Sequence, residues 1–92
     1  MNARTPCIFR VWRGKGGGDV IALFPDVAAS ISDPRLCQSY MHIGQHCAAD
    51  YSHVIRVTRP ATPAEYAPLR RELEGAIGYV LDIRQRWQRR RR

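Results

Sequence analysis

The chain has 92 residues, with 15 Lys and Arg against 8 Asp and Glu, a formal net charge of +7 and 45 % hydrophobic residues. That length supports one domain with a small core, and the apolar content excludes a wholly disordered chain. No apolar run approaches the ~20 residues of a membrane-spanning helix, and the first residues lack the apolar stretch of an export signal, so the sequence reads as a soluble, cytoplasmic protein.

Residues 1–6 read as a flexible N-terminus, residues 7–88 as a single α+β domain and residues 89–92 as a disordered Arg-rich tail. The run CIFRVWR (7–13) alternates as a strand, with Cys7, Phe9 and Val11 on one face and Ile8, Arg10 and Trp12 on the other. A Gly-rich connection, 14–18, leads to a second apolar run at 19–24, and the pair predicts a β-hairpin with a long tip. Residues 27–36 fit a short helical turn capped by Asp26, with Asp33-Pro34 marking a turn. Residues 38–43 alternate, Met41 and Ile43 opposing Tyr40 and His42. Residues 44–52 are small and polar and read as a loop. Residues 53–59 (HVIRVTR) read as another strand, Ile55 and Val57 opposing Val54, Arg56 and Thr58.

Thr62-Pro63-Ala64-Glu65 is a capping box with proline at the first helical position, and it predicts the start of the main helix. Tyr66, Leu69, Leu73, Ala76 and Ile77 recur at spacings of three and four and form its apolar stripe. Pro68 conflicts with that helix, because an interior proline removes a backbone hydrogen bond, and the pattern suggests a restart at Pro68. Gly78 supplies a C-terminal stop. Residues 79–87 alternate as a last strand. The expected fold is α+β: a small, mostly antiparallel sheet of four or five strands in the order β-β-β-β-α-β, with one helix from the C-terminal half on one face.

Such a sheet leaves its second face uncovered. With Phe9, Val11, Met41, Ile43, Ile55, Val57, Leu81 and Ile83 under the helix, Arg10, Trp12, Tyr40, His42, Arg56, Thr58, Arg84 and Arg86 fall on the open side. Guanidinium groups neutralise phosphate, and rings and guanidinium planes stack on bases. Arg13 and Lys15 at the hairpin tip and the four terminal arginines add cationic reach. Fourteen of the fifteen cations are Arg, and the four terminal arginines supply four of the seven net charges. Arginine suits bidentate recognition of phosphate or carboxylate. Arg-rich composition also arises from coding bias alone, solvated strand faces commonly carry Arg and Thr, and the same rings suit a protein interface or a homodimer.

Three cysteines, Cys7, Cys37 and Cys47, are an odd number without an export signal, and they read as reduced thiols rather than a disulfide framework. His42, His46 and Cys47, with Cys37 and His53, carry zinc-ligating chemistry. Their spacing lacks a C-x-x-C pair, and on an extended strand residues four apart lie about 13 Å from one another. The run from Arg13 to Gly18 lacks the G-K-[ST] ending and following helix of a phosphate loop. No cofactor is implied. The sequence thus favours a small basic, non-enzymatic module that contacts nucleic acid or a nucleoprotein complex through the Arg/aromatic face, the Gly-rich tip and the tail. The alternatives are a small protein-binding inhibitor or adaptor, such as a phage or mobile element encodes, and a metal-dependent or hydrolytic protein centred on His42, His46 and His53.

Overall fold

The computed structural model describes residues 4–13, 19–30, 32–41 and 46–86. In chain order the elements are β1 (Thr5–Trp12), β2 (Val20–Ala28), β3 (Leu36–Tyr40), β4 (His46–Asp50), α1 (Tyr51–Val57), β5 (Thr58–Pro60), α2 (Pro63–Arg71), a π-helical continuation (Glu72–Ile77) and β6 (Leu81–Ile83). They build the expected α+β fold. The sheet runs β4-β3-β2-β1-β5, antiparallel throughout, and β6 adds to β1 as a parallel neighbour. The far edge of β1 is therefore shared. Thr5 to Cys7 pair with β6, and Arg10 to Trp12 pair with β5.

The hairpin of β1 and β2 follows the alternation of its sequence, with Ile8 opposite Leu23 and Val11 opposite Val20. β2 continues past Pro25, where the pairing register shifts between Phe24 and Ala28. Proline has no N–H to give the ladder, so a bulge at that point is the natural accommodation. The strand thus replaces the helical turn expected after Asp26. The turn at Asp33-Pro34 is present, held by the Asp33 carboxylate, which accepts the backbone N–H of Arg35 at 3.0 Å.

Two differences from the sequence reading change the architecture. Residues 46–50, read as loop, form the edge strand β4. Residues 51–57, read largely as strand, form helix α1. Asp50 caps that helix, accepting the His53 N–H at 3.2 Å. Val54 is buried, and Tyr51 and Ile55 lean with it onto Ile8, Ile21, Leu23, Cys37 and Ala49. Only Thr58 to Pro60 continue as strand.

The other face carries α2. Its capping box is formed: the Thr62 hydroxyl accepts the Glu65 N–H at 3.2 Å, and the Glu65 carboxylate accepts the Thr62 N–H at 2.9 Å. The helix does not restart at Pro68 but passes through it. The backbone widens to π geometry beyond it and stops at Gly78, whose φ of 94° is a left-handed conformation that glycine adopts without strain. Leu69 and Leu73 bury against Cys7, Phe9, Val11, Ala22, Phe24 and Tyr40. Tyr66 stacks on Phe9 with ring centroids 4.4 Å apart, and Tyr79 stacks on Phe24 at 5.0 Å. The sheet is thus packed on both sides, by α2 on one and α1 on the other.

Candidate nucleic-acid interface

The open Arg/aromatic face does not form, because α1 occupies it. Arg10 lies on that side of β1 but is only 8 % exposed. Its guanidinium donates to the Thr58 hydroxyl at 2.9 Å, the Thr58 carbonyl at 2.7 Å and the Ile55 carbonyl at 3.0 Å. These are groups at the C-terminal end of α1, where a helix leaves carbonyls unpaired and favours positive charge. Burial pulls the Arg10 pKa below the ordinary arginine value. The charge nevertheless persists, since arginine stays protonated in proteins.

Tyr40 is placed on the opposite face from the one expected. It pairs with Ala22, is 1 % exposed and belongs to the cluster beneath α2. Its hydroxyl donates to the Glu72 carboxylate. Met41 lies instead against the α1 cluster, so the two residues have exchanged the sides that alternation suggested. Trp12 packs partly buried at the margin of that cluster, and its indole Nε1 is buried without a hydrogen-bond partner among the described residues. Ile55 packs under α1 rather than under the main helix.

The remaining cations divide into two sets. Four surface arginines face a carboxylate: Arg35 on Asp33 at 3.0 Å, Arg59 on Glu65 at 2.5 Å, Arg70 on Glu74 at 3.1 Å and Arg84 on Asp82 at 2.7 Å. Arg4, Arg13, Arg56, Arg71 and Arg86 are exposed and make no salt bridge among the described residues. Arg13 follows the end of β1, and Arg56 sits in the last turn of α1. The register of Trp12 with Thr58 brings these two positions to one end of the sheet. Arg4 and Arg71 were missed in the sequence. Arg71 had a signal, as the cation closing the regular turns of the capped helix; Arg4 had none beyond its charge. Lys15, His42 and the terminal arginines lie outside the described residues.

Of the metal candidates, His42 lies outside the described residues and the others are spread over three elements. His46 and Cys47 are neighbours on β4, His53 is exposed on α1, and Cys37 is buried. Among the described residues no group of three His, Cys, Asp or Glu side chains is placed to hold a metal ion. The two buried thiols are poor nucleophiles. Burial pushes Cys7 well above the usual thiol range, helped by Glu74, and pushes Cys37 up to about 11. Among the described residues no helix is long and apolar enough to cross a membrane. Comparison of the chain with protein families, with characterised proteins and with solved structures gives no match.

Proposed function

We propose that this chain is a small basic, non-enzymatic module that binds nucleic acid through the phosphate backbone. The supporting observation is the placement of Arg13 and Arg56, two exposed cations that make no salt bridge among the described residues, where β1 meets β5. Arg4, Arg71 and Arg86 add charge of the same kind elsewhere on the surface. Counterions condensed on a phosphate chain are released when such cations approach, and that release drives binding.

The way the rings are used shapes this reading. Tyr66 stacks on Phe9 and Tyr79 on Phe24 against the core, and Tyr40 is buried with its hydroxyl on Glu72. Among the described residues these five rings are therefore spent on the core, which supports a module that reads charge rather than sequence.

Fluorescence anisotropy of labelled single- and double-stranded oligonucleotides, titrated from about 50 to about 200 mM salt, tests this. The expected result is binding with little sequence preference and a steep fall with salt. Replacing Arg13 and Arg56 together by Ala should reduce the logarithmic salt slope by about 2, roughly one for each phosphate that is no longer neutralised. Absence of binding at about 50 mM salt, or an unchanged slope in the double variant, overturns the reading.

A further inference from the structure

We propose that the outer edge of β4 is a self-association surface, on which a second copy of this chain adds its own β4 antiparallel and centred on Ala48. In an antiparallel ladder, residues alternate between facing their partner strand and facing away from it. The Tyr51 N–H donates to the Arg35 carbonyl at 3.2 Å, which fixes the phase of the β3–β4 ladder. Cys47 and Ala49 therefore face β3, while His46 and Ala48 direct their N–H and C=O groups outward and Asp50 its N–H, the Asp50 carbonyl opening the hydrogen bonds of α1. Among the described residues nothing pairs with that side of β4.

The opposite margin of the sheet is guarded. There β5 and β6 are three residues each, and β5 ends in Arg59 and Pro60, a cation and a residue with no donor. Short strands, charges and proline are the usual protection of an exposed edge. The strand β4 (HCAAD) has five residues, no proline, no Lys or Arg and a centre of small side chains. Cys47 and Ala48 are exposed.

The sequence of β4 is complementary to itself when reversed. With Ala48 opposite Ala48 of a second copy, His46 falls opposite Asp50 and Cys47 opposite Ala49. Small side chains then meet at the centre, and no like charges oppose. The arrangement has two-fold symmetry, so it closes as a dimer and does not propagate. Five paired residues make a small interface, suited to a dimer that exchanges with monomer. The inference is independent of the nucleic-acid reading, since no arginine takes part in it.

Sedimentation equilibrium of the full chain over a wide protein concentration range, without nucleic acid, is the test. The expected result is a monomer–dimer equilibrium with no larger species. Ala48→Pro removes both central donors and should weaken association by about tenfold or more. Ala48→Lys leaves the backbone intact, places two like charges opposite one another at an exposed position, and should weaken it by about fivefold. Circular dichroism checks that each variant keeps its fold, and the lysine variant decides the matter if the proline variant unfolds. Cys7 and Cys37 are buried, so a short bismaleimide should join two copies through Cys47, with the yield falling in the folded Ala48 variant. A chain that stays monomeric at high micromolar concentration overturns the proposal. So does a dimer that Ala48→Lys leaves unchanged.

Discussion

Arg10 and Thr58 are held together by two hydrogen bonds, from Nε to the hydroxyl at 2.9 Å and from Nη2 to the carbonyl at 2.7 Å, and the Thr58 hydroxyl in turn donates to the Val54 carbonyl at 2.6 Å. This relay ties β1 to the end of α1. Hydrogen bonds from a charged donor contribute about 1.5–3 kcal/mol each, and removing the donor leaves its acceptors dry. Arg10→Met should therefore cost about 2–3 kcal/mol. Arg10→Lys should recover only part of that, since an ammonium does not reproduce the planar fork. Urea denaturation reads this as a lowered midpoint at unchanged slope; a midpoint equal to wild type would show the relay to be idle.

The Arg59–Glu65 pair sets an acid limb. The Arg59 guanidinium holds the Glu65 carboxyl near a pKa of about 2, against an ordinary value of 4.5, and the Thr62 N–H assists. A depressed carboxylate stabilises the fold above its unfolded pKa and loses that contribution as pH falls through the folded one. The stability gap between wild type and Glu65→Gln should therefore be constant above about pH 5 and shrink toward about pH 2. A gap that stays constant down to about pH 2 would separate the pair from acid stability.

Pro68 sits in the interior of α2 on its exposed side, where it has no N–H to return to the preceding turn. An interior proline costs a helix about 3 kcal/mol relative to alanine, and its rigidity in the unfolded chain offsets only part of this. Pro68→Ala should raise stability by about 1–2 kcal/mol, read as an increased melting temperature. A lowered melting temperature would instead make the proline part of what sets the π-helical widening downstream.

Thiol labelling separates the three cysteines. Cys47 is exposed, Cys7 and Cys37 are buried, and burial raises the pKa of both. At pH near 8, one thiol per chain should react rapidly with a chromogenic disulfide, and the other two only on unfolding. Rapid reaction of two or three thiols in the folded protein would contradict the buried positions of Cys7 and Cys37.

The sequence carried the hairpin of β1 and β2 and the capped helix, because those signals are local: strict alternation in one case, Thr62 and Glu65 three apart in the other. It misled at residues 53–57, which are helix, and held only at Thr58 and Arg59. Val54, Ile55, Val57 and Thr58 are β-branched and alternate, yet Tyr51, Val54, Ile55 and Thr58 also recur at helical spacing, and Asp50 was a cap waiting to be read. The sheet beneath decided for the helix, because Ile8, Ile21 and Leu23 need an apolar cover. The same helix removed the open face on which Arg10 had been placed. Tyr40 crossed over because the face a strand residue takes depends on register, which tertiary pairing with Ala22 fixes. Arg13 and Arg56 kept their exposure, the first at a strand end and the second on a helix rather than a strand.

Because β6 docks alongside the N-terminal half of β1, that strand acquires one of its neighbours only after residues 81–83 have left the ribosome. Cys7 and Phe9 of that strand must wait for Leu69, Leu73 and Leu81 before their side chains are covered. Such distant closures fold late and together, so a nascent chain halted before residue 81 should lack a finished core.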